Sequence, residues 1–587
     1  MPSLLTWVLV GILLYTVVAM ALHSRGYLPD SVSVTGPMMT IRTKRGRILL
    51  DRLAQRKRFW RAWGNLGVGI VFVVMVLAGI FVVLSVSAVI LQPDAGIESP
   101  QNVLVIPGVN EFLPLSAAGE IVFGLLLGLV VHEGGHGLLC RVEDIEIESM
   151  GVALFAFIPL GAFVEPDAED QQAADRGAQT RMFAAGITNN FAVCLIAMGL
   201  LVAVIGAFGV AGGAPVGSAL PGSGAEAAGI QDGDRITAVN GTTIENGSHL
   251  ETVVAGIHSD RLEVELGGEE TVLVDRQLLV FRAVEGSSLE IGVGDRITAV
   301  NDTPVNTIRG FDAAVEDRPV ATLQTENREV TMPIGAFADR ASPDGALAAA
   351  GAPTDGTPIV ITQVGDERVT NESSLRPALD RYDAGDEVTV VGYVDGDRQI
   401  YDVTLGGTDD RPLLGVTLQE GYSGLVFDDF GADIYPAEQF LQILSGQQAM
   451  EDRGLVSGFM VFMGQLLLLP LLSLADPSLT YNFAGFTPDI ASFFVVEGPI
   501  GALGYGAFIL ANLLFWSWWI NFNLAIFNCI PAFPLDGGHI LRKGTESIVT
   551  RLPIKRKRAV VSVVTIGATL VMVTALLLLI FGPLLLT

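Results

Sequence analysis

Cysteine is scarce. The chain has three in 587 residues, Cys140, Cys194 and Cys529, all in or beside apolar runs and none in a CxxC spacing. No disulfide framework can be built from them, and they are expected to be buried free thiols. Lysine is scarce too, at positions 44, 57, 543, 555 and 557, with none between Ala211 and Gly454. That stretch carries 42 Asp and Glu against 15 Arg, so it holds nearly all of the formal net charge of -28. Its sign disfavours nucleic-acid binding. Regular strand patterns and Gly-Asp turns distinguish it from an acidic disordered linker.

Charge is also missing from several runs near 20 residues, while half of all residues are hydrophobic and mean hydropathy is +0.50. A chain of this length is too long for one ordinary domain, and these runs predict a polytopic membrane protein. Leu4 to Leu22 reads as a first span, retained as an anchor because the positive charge follows it. Ten Arg and Lys between Arg25 and Arg61 predict a cytoplasmic loop resting on anionic lipid. Spans are expected over Leu66–Leu91, Leu115–Cys140, Met182–Phe208 and Val560–Ile580. Between 455 and 540, one span with an interfacial helix satisfies the charge bias, and so do three spans. Gly151 to Pro166 is apolar but broken by Gly and Pro, which suits a β-hairpin dipping beside a site.

The acidic block contains a repeat. Gly233-Asp-Arg-Ile-Thr-Ala-Val-Asn240 recurs letter for letter at Gly294–Asn301, and a weaker third copy runs from Gly356 through Gly385-Asp-Glu. The period predicts tandem small domains, each with a β-branched strand meeting a tight turn.

Chemistry concentrates in His132-Glu133-Gly-Gly-His136, inside an apolar run whose one other charge is Glu120. Ionisable groups are costly in hydrocarbon and call for a function. On a helix, positions i and i+4 share a face, so His132 and His136 can hold one metal ion with Glu133 beside it. Packing histidines are the bland reading. A hydrolytic zinc site needs a third protein ligand and an open position. Asp536, in Asn528-Cys-Ile-Pro531-Ala-Phe-Pro534-Leu-Asp536-Gly-Gly538, can supply it; read alone, Asp536 can equally cap the helix that follows.

In these segments, and in Pro159-Leu-Gly-Ala-Phe-Val164 and Phe183-Ala-Ala-Gly-Ile-Thr-Asn-Asn190-Phe191, the chain resembles the site-2 proteases, intramembrane zinc metalloproteases of peptidase family M50. It is more similar to the animal-type branch than to the short bacterial one. Ile187 stands where bacterial members often have proline. The lysine-free acidic surface resembles proteins of salt-loving archaea, in which salt screens self-repulsion.

The resemblance implies one Zn2+ on His132, His136 and Asp536, Glu133 as catalytic base, and Asn190, Asn528 and Pro531 near a substrate channel. It implies a multi-pass cell-membrane protein with substrates anchored in the bilayer. It also implies extracytoplasmic PDZ-like modules, β-rich α+β domains that bind chain termini or filter substrates by size. The expected plan is a first helix and basic loop (1–64), then a membrane core (65–210). PDZ-like modules follow at 211–277, 278–338 and 339–420, then a connector (421–454). The second part of the core (455–540) and a basic segment with the last span (541–587) complete it. A metal transporter and a non-catalytic PDZ scaffold are the alternatives; the Leu-Asp-Gly-Gly motif speaks against the first, and the presence of both Glu133 and Asp536 against the second.

Overall fold

Among the described residues, six helices are long and apolar enough to cross a membrane: Lys57–Ser87, Leu115–Val142, Arg176–Ile205, Leu455–Leu474, Gly506–Cys529 and Lys557–Gly582. The chain is a multi-pass membrane protein. The computed structural model describes residues 4–586 apart from 30, 92–106, 108–109, 111–112, 156–157, 268–269, 285–290, 409–410, 452, 476–478 and 554. Contacts divide the chain into two units. One comprises Met1–Gly209, Glu438–Ala491 and Val495–Thr587; the other comprises Val210–Ala437 with Ser492–Phe494.

In the membrane unit, α1 (Leu4–Ser24) leads to a hairpin of β1 (Val32–Thr35) and β2 (Met38–Arg42), then α2 (Lys44–Ala54). The hairpin lies in the basic loop, where Gly36 takes a positive φ of 61° at the turn. Next, α3 (Lys57–Leu91) starts nine residues before the expected span. Its first turns are basic, and Lys57 and Arg61 pair with Asp144 and Glu143, which follow α4 (Ala118–Val142). The expected hairpin forms as β3 (Ile147–Phe155) and β4 (Ile158–Pro166). Its strands continue the β1–β2 hairpin into one sheet of order β1-β2-β3-β4, leaving β4 at the edge.

Helix α5 (Arg176–Ile205) is capped by Asp175, whose side chain accepts from Ala178 N–H. After the second unit come α6 (Leu455–Leu468), α7 (Gly506–Cys529), α8 (Asp536–Val549) and α9 (Lys557–Leu586). Among the described residues between 455 and 540 there are thus two helices of crossing length, the number that one span with an interfacial helix calls for. Pro470 lies in a 3-10 turn that ends α6. Val71, Ala184, Ile187, Ala525, Cys529 and Ile540 form a core joining α3, α5, α7 and α8. All three cysteines are buried and free.

In the acidic unit the repeat dictates repeated geometry. Asn240 and Asn301 both turn left-handed, with φ of 49° and 48°. Each side-chain oxygen then accepts one N–H of a neighbouring strand, Glu263 at 2.8 Å and Thr322 at 2.9 Å. The modules differ from the expected tandem plan because their strands nest. Ala214–Ala219 pairs with Ala432–Ile434, Leu279–Ala283 with Leu425–Asp428, and Ala336–Ala341 with Val416–Gln419. The stretch expected to be a connector therefore completes the first two modules. Three separate cores agree: Phe430 and Ala432 pack with Ala214 and Val216, Leu425 and Phe427 with Leu278 and Val280, and Leu414 with Ala336 and Ala338.

Candidate metal centre

Helix α4 brings His132 and His136 to one face, with ring centroids 4.7 Å apart and Nε2 atoms 3.1 Å apart. Asp536 arrives from the other end of the chain. Helix α7 ends at Cys529, the Pro531–Pro534 turn follows, and Asp536 is the first residue of α8. Leu535 is the cap residue and no side chain caps α8, so the carboxylate is not engaged in capping. Its Oδ2 lies 3.1 Å from His132 Nε2 and 3.2 Å from His136 Nε2. Four ligands at zinc bond lengths of 2.0–2.2 Å lie roughly 3.3–3.6 Å apart in a tetrahedron, so these three donors are nearly at ligand spacing.

The lone pairs converge. His136 Nδ1 is 2.8 Å from the Met182 carbonyl, to which it must donate. A neutral His136 ring then faces the site with a bare Nε2. His132 Nδ1 lies 3.3 Å from the side-chain nitrogen of Asn190, which is fully buried, while Asn190 Oδ1 is buried with no partner. Exchanging the two amide atoms, which have the same shape, lets Oδ1 accept from His132 Nδ1–H. The second Nε2 is then bare as well. Asp536 Oδ2 is itself buried without a hydrogen-bond donor. Three acceptors aimed at one point repel unless a cation lies among them, and two imidazoles with one carboxylate are a donor set suited to zinc. The residues present fit that ion.

Glu133 accepts the N–H of Val164 on edge strand β4, at 3.0 Å. Its carboxylate and the two imidazoles lie within 4.8 Å of one another. Glycines make this crowding possible. A methyl at Gly186 would lie 2.7 Å from His136 Nε2, and one at Gly135 would lie 2.8 Å from the Ala185 carbonyl. At α8, a methyl on Gly537 would lie 2.4 Å from the Ile530 carbonyl, so the two glycines after Asp536 let the helix start against the end of α7.

The family resemblance implies Asn190, Asn528 and Pro531 near a substrate channel. Asn190 backs His132. Asn528 donates to the Leu524 carbonyl of its own helix at 2.9 Å, and Pro531 lines an apolar cleft beside α3 and α9. Met182 and Val164 went unnoticed, because they act through backbone atoms that leave no mark in composition. Phe183 stacks on His539 at 4.4 Å and meets His136 edge-on. Burial holds His539 below the ordinary histidine pKa.

The family model described as peptidase family M50 matches residues 120–573, a span that includes His132, Glu133, His136 and Asp536. An uncharacterized protein of Methanocaldococcus jannaschii is 26% identical over 174 residues, 27% of this chain and 42% of that protein. The chain thus spans less than half the length of this relative.

Proposed function

The chain belongs to peptidase family M50, the site-2 protease family, and from that premise we propose that it is an intramembrane zinc endopeptidase. It cuts peptide bonds within the membrane-anchoring segments of other proteins. The observation that carries this is the triangle of His132 Nε2, His136 Nε2 and Asp536 Oδ2, with edges of 3.1–3.2 Å.

His132, His136 and Asp536 would hold the ion, which when bound acidifies a water and polarises the scissile carbonyl. Met182 and Asn190 keep the two rings turned inward by occupying their Nδ1 atoms. Glu133, beside the ligands, takes a proton from the attacking water at a carboxylate oxygen and hands it to the leaving amine. Peptide bonds of a membrane helix are satisfied internally, so the substrate must unwind before attack. Strand β4 ends its sheet and offers outward backbone groups to an extended segment. The Val164 N–H bond fixes Glu133 along that same edge. The acidic modules act as PDZ-like gates that bind exposed termini or exclude bulky substrates, outside the membrane and opposite the basic loops.

Purified protein incubated with a single-span reporter should cleave it, and a zinc chelator should stop the reaction. Glu133→Gln should lower the rate by at least about 100-fold while zinc content stays at wild-type level. His132→Ala, His136→Ala and Asp536→Ala should lose zinc as well. Undiminished proteolysis by purified Glu133→Gln protein would falsify the assignment.

A further inference from the structure

Between α3, α5 and α8 lies a cavity of about 510 Å³ with two chemistries. Val68, Phe72, Met75, Ile540 and Leu541 form an apolar floor, whereas Asn65, Arg176, Arg181 and Thr545 form a polar rim. Met75 and Leu541 also line a second cleft of about 430 Å³, whose remaining walls, including Ile80, Val83, Pro531 and Val564, are apolar.

The two charged residues of the rim are both cations, Arg176 and Arg181, and each shares its carboxylate with cations outside the cavity lining. Glu143 is shared by Arg61 at 3.2 Å and Arg181 at 2.8 Å. Glu546 is shared by Arg176 at 3.9 Å, Arg542 at 3.3 Å and Lys543 at 3.7 Å. Five cations thus meet two carboxylates around the cavity, and two of the five, Arg176 and Arg181, line it. Asp175, engaged in capping α5, reduces this excess without cancelling it.

We propose that this cleft binds an anionic phospholipid, with its phosphate at the Arg176–Arg181 rim and an acyl chain along the apolar floor toward Pro531. Basic pockets at the ends of membrane helices attract anionic headgroups, and hydrocarbon rather than water fills an apolar groove facing the bilayer. Free phosphate would satisfy the rim and leave the floor empty. A bound lipid touches α3, α5 and α8 together, and so braces the helix that begins at Asp536.

Two glycines allow a test by filling. A methyl at Gly69 or Gly544, both in the cavity wall, meets nothing within 4 Å. Gly544→Leu therefore projects into the cavity without a backbone clash, and Arg176→Gln weakens the rim by charge alone. The full chain is reconstituted in phosphatidylcholine vesicles with or without phosphatidylglycerol. It is then extracted, and retained lipid is counted by native mass spectrometry. Wild type should retain one phosphatidylglycerol in preference to phosphatidylcholine. Both variants should retain at least fivefold less of it, with zinc content unchanged. Equal retention of the two lipids would overturn the proposal, as would wild-type retention by Gly544→Leu or displacement of the lipid by inorganic phosphate. A photo-crosslinker at Leu541 that captures the single-span reporter in place of phosphatidylglycerol would assign the cleft to substrate and overturn it too. Lipid retention is read without any cleavage, so its failure is separable from failure of the protease reading.

Discussion

His132 and His136 each face inward with one nitrogen because the other is already occupied, by Asn190 and by the Met182 carbonyl. Removing such a partner costs metal affinity by weakening orientation and basicity, typically 10- to 100-fold. Asn190→Leu should therefore release zinc to a competing chelator about 10–100 times more readily. Asn528→Ala, whose partner is the Leu524 carbonyl on its own helix, should not. In the acidic unit, burial pushes the Asp428 carboxyl up to about 6, opposed by N–H donors from Gly431 and Phe430. A raised carboxyl pKa favours the folded state below the ordinary value near 3.8, and that contribution is lost as pH rises through 6. Asp428→Asn keeps an oxygen for the two amides. It should raise the thermal midpoint of the acidic unit above pH 6 and leave it nearly unchanged at pH 4, as followed by circular dichroism.

Among the elements, the crossing of α4 and α5 is set by Gly135 and Gly186, where even a methyl meets the Ala185 carbonyl or the His136 ring. Gly186→Val should displace His136 and cost both zinc and activity, whereas Gly199→Val on the same helix, in open space, should cost neither; zinc per chain by atomic emission separates the two outcomes. The β3–β4 hairpin was legible from an apolar stretch too short and too broken to span. Its two extra strands were less so. Val32-Ser-Val-Thr35 and Met38-Met-Thr-Ile-Arg42 flank Gly36-Pro37, which is a hairpin signal, but the surrounding basic residues directed attention to charge. Val164→Pro removes the N–H that holds Glu133. The expected outcome is slower cleavage of a helical reporter at unchanged zinc content; an unchanged rate would detach β4 from the mechanism.

At the scale of the whole molecule, nesting decides how the acidic unit can be cut. Removing 213–418, between the tandem boundaries, would strip partners from Leu425–Asp428 and Ala432–Ile434. Phe337 and Gln419 are paired across the innermost module, so residues 336–419 can be replaced by a short turn with little chain strain. That deletion should leave a folded, zinc-loaded protein with altered substrate choice, read from cleavage rates across a reporter panel. The outer two modules are tied by Arg276 and Asp429, a buried pair at 2.6 Å in which Asp429 also accepts from Ile308 N–H. Asp429→Ala leaves the guanidinium without its carboxylate in the interior, a change that costs about 3–5 kcal/mol in such pairs. Both outer modules should melt at lower temperature together.

Residue identity and spacing alone determined the membrane class, the location of the acidic block and the four residues proposed for zinc and catalysis. Each follows from a local rule: a charge-free run long enough to span, an i, i+4 pair on one helix face, a helix-breaking turn before a carboxylate. What closes over distance was decided only by the tertiary structure. Asp536 meets His136 across 400 residues of chain, Asn190 backs His132 from another helix, Val164 holds Glu133 by its backbone, and strands near 430 complete modules begun near 214. Such contacts depend on which elements pack together and on backbone donors that every residue type shares, so no letter in the sequence announces them.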